Sequence, residues 1–110
     1  MPGAGLFDRR VTFLRRALAD DGAGNTRGGF APVLTVWAGW RATGGQEIVE
    51  GGRAVDAAAG TLTIRDTPAA RQVTAADRVL FSGDEWAILS VAPPERRRGT
   101  IALTIARRQA

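Results

Sequence analysis

Lysine, cysteine, histidine and tyrosine are all absent from this 110-residue chain, and each absence closes off a kind of chemistry. Schiff-base catalysis and phosphate-loop nucleotide binding both need a lysine. Without imidazole or thiol there is no ordinary general base, no soft metal ligand and no cysteine nucleophile. Disulfides cannot form, so the chain lacks the signature of a small secreted scaffold. Serine occurs only as Ser82 and Ser90. Long apolar runs are missing as well: a membrane helix needs about 18 consecutive apolar residues, and Met1 to Phe7 has no apolar core of the signal-peptide kind. The expectation is a soluble protein with no membrane partner, made and used without general secretory export.

Two carboxylate pairs remain, Glu47/Glu50 and Asp20/Asp21. Neither spacing matches a paired-carboxylate template, and both read as solvated loop charge. Asp20-Asp21-Gly22 lacks the alternating ligands and closing glutamate of a calcium loop. Gly22 to Gly28 misses the dinucleotide fingerprint by one residue and does not join a strand to a helix. The sequence therefore predicts no enzyme, no cofactor and no metal site.

What is present is apolar enough to fold: 45% hydrophobic residues with 24% charged, in one domain spanning residues 1–110. Alanine and glycine make up nearly a third of the chain, and all fifteen cations are arginine, for a net charge of +4. Abundant Ala, Gly and Arg without lysine looks like the coding bias of a GC-rich bacterial genome. The basic balance is correspondingly weak support for nucleic-acid binding.

Period-two alternation marks strands. Arg10 to Arg15 puts Val11 and Phe13 on one face. Val33 to Ala42 carries Leu34, Val36, Ala38 and Trp40 on one face and Val33, Thr35 and Trp37 on the other, so its two tryptophans cannot share a core. Ala17 to Pro32 between them reads as a long turn. Thr61 to Arg65 turns Leu62 and Ile64 inward. Thr74 to Asp77 reads as a one-turn segment with the Thr74 hydroxyl taken by a backbone N–H near Asp77. Arg78 to Leu89 is a hairpin with a predicted Gly83-Asp84 turn, placing Phe81 opposite Trp86 and Val79 opposite Ile88. Arg96 to Gly99 forms another tip, and Thr100 to Ala106 turns Ile101, Leu103 and Ile105 inward. The fold class is all-β: a small six-stranded antiparallel barrel with a long loop between strands two and three.

That loop, Thr43 to Gly60, asks for a function because structureless connections beyond about 12–15 residues are uncommon in a small domain. Gly44-Gly45 and Gly51-Gly52 bracket Gln46-Glu47-Ile48-Val49-Glu50, with Arg53 and an alanine-rich run following without clear period. A surface excursion or a short helix packed on the barrel fits the same residues.

Taken in order, several segments resemble a known family. They are Leu6 to Arg15, Asp21-Gly22, Val36-Trp37-Ala38-Gly39-Trp40 with Gly45-Gln46-Glu47, Leu62 to Arg65, Val73 to Phe81, Trp86 to Val91 and the closing arginine turn with its strand. The set is similar to the head-tail joining, or head-closure ("stopper"), proteins of long-tailed bacteriophages and phage-derived particles such as gene transfer agents. The chain departs from that pattern at Phe30, where tryptophan is usual, at Arg65-Asp66, where a tyrosine is common, and in the missing cysteine of the last strand.

The resemblance implies a virion protein of the neck region, assembled in the bacterial cytoplasm. It implies a homo-oligomeric ring of six or twelve copies, with a portal-adaptor ring above, a tail terminator or tail tube below, and packaged DNA in the channel. It assigns Gly44, Gly45, Gln46, Glu47, Ile48, Val49, Glu50, Gly51, Gly52 and Arg53 to a channel-gating loop, hinged at its glycine pairs. Arg9, Arg10, Arg96, Arg97 and Arg98 become contacts with neighbouring ring proteins or DNA phosphates, against plain solubility. Two other readings stay open: a tail-terminator or minor tail protein of the same barrel type, and a stand-alone nucleic-acid-binding barrel.

Overall fold

Alternating apolar residues in short runs commit a chain to strands, and a chain this small protects its strand edges by closing the sheet on itself. The computed structural model describes residues 7–16, 29–50 and 52–108. Its strands are β1 (Arg9–Arg16), β2 (Phe30–Glu50), β3 (Arg53–Arg65), β4 (Arg78–Phe81), β5 (Asp84–Val91) and β6 (Thr100–Arg108), with a 3-10 turn at Ala70–Gln72. All pairings are antiparallel, and the order β1-β2-β3-β6-β5-β4 returns from β4 to β1, giving a closed barrel. The all-β, six-stranded expectation stands.

The core is the inward set of each strand. Val11, Phe13, Leu62, Ile64, Val79, Ile88, Ile101, Leu103 and Ile105 are all buried, and Leu34, Val36 and Trp40 pack against them. A register shift between Phe13 and Leu14 leaves Val33 as an extra residue of β2, and Leu14, on the same side of the sheet as Thr12 and Arg78, is buried outside the core cluster. Parity separates the tryptophans as expected: Trp40 lies on the core, while Trp37 is 51% exposed.

The predicted long loop is not a loop. Residues 43–60 continue β2 and β3 as one ribbon, paired from Gly44↔Ala59 through Glu47↔Asp56 to Glu50↔Arg53. Glycine pairs read as breaks in the sequence, but a bulge between Ala42 and Gly44 takes up the extra residue and the ladder resumes. Gly52 stands at a turn, with φ +80°. The alanine-rich run conceals its period where Ala57, Ala58 and Ala59 are alike. Ala57 and Ala59 are buried against Ala106, whereas Ala58 is half-buried.

The β4–β5 hairpin also differs from its predicted register. Its turn residues are Ser82 and Gly83, at φ +57° and +82°, and Phe81 pairs with Asp84 and Val79 with Trp86. Positive φ at both central residues suits the strands' right-handed twist. Because the pairing moved by two positions, the same side chains still face inward: Val79, Phe81, Trp86 and Ile88 are buried. Residues 17–28, including the Asp21-Gly22 turn, lie outside the described residues.

Candidate assembly arm and arginine surfaces

The distal part of the β2–β3 ribbon, residues 44–59, forms an arm whose foot is fixed by aromatic packing. Gly60 pairs with Ala42 beside Trp40, so close that a Cβ on Gly60 would run into the Trp40 ring and the Arg41 carbonyl. Only glycine lets the indole approach the backbone this closely. Trp40 then packs on Phe81 and Trp86, with ring centroids 4.8 and 5.2 Å away. The Trp86 Nε1–H donates to the Phe81 carbonyl at 3.0 Å, and Arg107 lies over the Trp86 ring at 5.5 Å. Each aromatic contact adds about 0.5–1.5 kcal/mol beyond burial.

Beyond that foot the sheet thins. β6 accompanies β3 only as far as Ala57↔Arg108, and β1 accompanies β2 only to Arg9↔Ala38. Among the described residues, Glu47 to Glu50 and Arg53 to Asp56 pair with each other and with no third strand. Nine of the ten residues expected to form a gating loop thus fall at the end of this ribbon: Gly44 to Glu50 in β2, Gly52 in the turn and Arg53 opening β3. Gly51 lies outside the described residues.

The expected arginine contacts do not converge on the arm. Arg96, Arg97 and Arg98 occupy the β5–β6 turn, where the Glu95 carbonyl accepts the N–H groups of Gly99 and Thr100 and its carboxylate accepts that of Arg97. Thr100 pairs with Arg65 at the far end of β3, so this turn and the arm sit at opposite ends of the sheet. An open cleft of about 450 Å³ flanks the turn, with Thr63, Glu95, Arg97 and Arg98 in its walls. Arg9 lies exposed, 3.8 Å from Asp8, where an ion pair contributes little.

Arg10 belongs to an arrangement that the sequence did not disclose. It pairs across strands with Trp37, and its guanidinium stacks 5.0 Å from that ring's centre. Farther along the same outer face, Arg16 and Arg78 each lie 4.9 Å from the Phe30 ring. A cation over a ring gains about 0.5–1 kcal/mol at an exposed site and is held in place by the contact. Register was the missing signal, because residues 10 and 37 become neighbours only once β1 is aligned on β2.

A second unpredicted feature ties β1 to the turn before β4. Asp77, 3% exposed, accepts Arg15 Nε at 3.0 Å and Nη2 at 3.1 Å, and also the Thr74 N–H at 3.0 Å. Arg15 Nη2 donates further to the Gln72 carbonyl at 2.8 Å. Burial opposes ionisation of Asp77, but the Arg15 hydrogen bonds, the Thr74 N–H and the Arg15 charge outweigh it and hold its carboxyl below the ordinary value. The Thr74 hydroxyl accepts the Ala76 N–H at 3.2 Å, as expected, while Asp77 returns the bond to Thr74. Among the described residues, no group of three or more carboxylates approaches a metal-binding arrangement.

The architecture has a solved counterpart. A chain from the virion of a native gene transfer agent particle is 23% identical, covering 94% of this chain and 96% of that one, with a TM-score of 0.73. That likeness establishes the shared fold. No curated protein matches the sequence. The model of the phage head completion protein family matches residues 2–108, nearly the full length of both the closed sheet and its arm. The chain belongs to the phage head completion protein family, which is a family of structural proteins and not of enzymes.

Proposed function

We propose that this protein forms a ring below the portal and its adaptor, closes the DNA exit channel of a phage-like particle and presents the surface on which the tail docks. The observation that carries this reading is the arm. A closed sheet with its own core supports a two-stranded ribbon that no third strand covers among the described residues. A free-standing ribbon of this kind is marginal in water and becomes ordered by what it contacts. In a ring, such arms reach toward the channel or across to the next copy. The bulge between Ala42 and Gly44 is where the arm can change angle without disturbing the body. Arg96 to Arg98, at the opposite end, then face the adjoining ring or the tail. Assembly takes place in the bacterial cytoplasm, and the finished protein resides in the neck.

Particles made without this protein test the reading. Filled heads that leak DNA and lack tails are the expected result. Heads that retain DNA beside tails of abnormal length would assign the chain to the tail end instead. Salt-dependent DNA binding by the isolated monomer, with no ring in the neck, would favour a nucleic-acid-binding barrel.

A further inference from the structure

The outer face of β4, β1 and β2 is unlike the rest of the surface. Trp37 (51% exposed), Val33 (48%) and Leu80 (41%) are three of the four large hydrophobic residues exposed among the described residues. Register brings them together: Trp37 lies opposite Arg10, Thr12 lies between Thr35 and Leu80, and Val33 follows Thr35 on the same side of β2. The Thr12 and Thr35 hydroxyls share a 3.1 Å hydrogen bond, leaving the centre of the face with little unmet polarity. Arg10 on Trp37, and Arg16 and Arg78 on Phe30, border the patch with guanidiniums already positioned by stacking. Glu85, at its β5 margin, is 3.4 Å from Arg78. An exposed tryptophan beside aliphatic residues and immobilised arginines is the composition of a protein-binding hot spot.

Charge and topology identify the occupant. Residues 44–59 carry Glu47, Glu50 and Asp56 against Arg53, a net −2, so the remainder of the chain carries +6. The arm therefore complements a face bordered by three arginines. It cannot reach that face in its own copy, because it prolongs β2 past Ala42, away from Trp37 and Val33. We propose that the arm of one copy docks on the β4-β1-β2 outer face of a second copy. Two different patches meet in this contact, so it propagates head to tail and closes into a ring when the rotation permits. The inference rests on the ring reading above and adds what holds the channel-side arm: its neighbour.

The absence of cysteine makes the test clean. Single-cysteine variants are made on the face (Val33→Cys, and Thr35→Cys should the first fold poorly) and on the arm (Ile48→Cys and Val49→Cys, adjacent residues of one strand). Under mild oxidation, mixtures of one face variant with one arm variant should form disulfide-linked dimers in yields at least about tenfold above either variant alone. A chain carrying both cysteines should give a ladder of higher oligomers. In parallel, Arg10→Glu with Arg78→Glu should weaken self-association about tenfold or more, and Glu47→Arg with Glu50→Arg in the partner should restore it. Rings formed without face-to-arm cross-links would overturn the docking and leave the ring reading intact. Wild-type chains that stay monomeric at every concentration, and make no ring in the particle neck, would remove the ring reading itself. If the face variants lose DNA binding with no change in self-association, the face belongs to nucleic acid and the proposal falls.

Discussion

The body and the arm of this molecule are built by opposite rules. In the body every strand has a partner on both sides, and bulky side chains such as Phe13, Leu62 and Ile105 are fully buried. In the arm the residues are mostly glycine, alanine and acids, with few large side chains, and among the described residues its distal ladder, 47–50 with 53–56, has two strands. The body secures its own stability, whereas the arm's distal pairing is local and, among the described residues, no strand covers its outer edges. Substitutions should therefore act on different quantities in the two regions: folding in the body, assembly in the arm.

The largest effect is expected in the body. Phe13→Ala empties a fully buried site between β2 and β4 and should cost about 3–5 kcal/mol, a large share of the 5–15 kcal/mol typical of a domain. Thermal or urea unfolding measures it, and a loss under about 1 kcal/mol would mean that the sheet interior is not packed as described.

Next comes the junction of the two regions. Gly60→Ala places a methyl group where the Trp40 ring and the Arg41 carbonyl already stand, so the indole must move and disturb Phe81 and Trp86. A loss of about 1–3 kcal/mol is expected, seen as a lower urea midpoint at unchanged slope. The same substitution at Gly29, which has open space around it, should be nearly silent and serves as the control.

A smaller and pH-dependent effect is expected at Asp77. Its folded pKa lies below the unfolded value of about 3.9, so its contribution to stability is complete above that value and is lost as pH falls through the folded pKa. Asp77→Asn keeps the shape, removes the charge-assisted bonds to Arg15 and should cost about 1–2 kcal/mol near neutral pH, since Arg15 is exposed enough to turn toward water. The gap between wild type and variant should close in acid. Asp66, held below its ordinary value by hydrogen bonds from Arg71, titrates identically in both proteins and cancels from the difference. A gap that does not narrow as pH falls below the unfolded value of about 3.9 would show that the Arg15 bridge is not its source.

What the sequence disclosed follows the same division. Strands with large alternating side chains were legible because burial and residue type coincide, as in Leu62-Thr63-Ile64 and Ile101 to Ile105. The arm was hidden because glycine and alanine carry no periodic contrast, so backbone pairing alone defines it. The β4–β5 turn was misplaced by one residue because Ser82 adopts a left-handed conformation usually left to glycine or asparagine. Arg10 was singled out as a contact, but its stacking on Trp37 depends on a cross-strand alignment that neither local segment contains. The Arg15–Asp77 bridge spans 62 positions and leaves no local trace.

The smallest change in stability should come with the largest change in behaviour. Among the described residues 47–50 pair only with 53–56, so replacing 47–56 by an Asn-Gly turn between Gln46 and Ala57 leaves every other described strand pairing in place. Removing a marginal ribbon should shift unfolding by no more than about 0.5 kcal/mol, within the range of surface changes. The shortened protein should nevertheless fail to complete heads: particles carrying it should lose packaged DNA and lack tails, although the protein is folded and present at normal levels. Failure to fold would instead show that the arm supports the body. Fully closed, tailed particles would show that the closed sheet alone does the work of this family and that the arm serves another purpose. Loss of closure with an intact fold is the one result that places assembly in the ribbon and stability in the ring of strands beneath it.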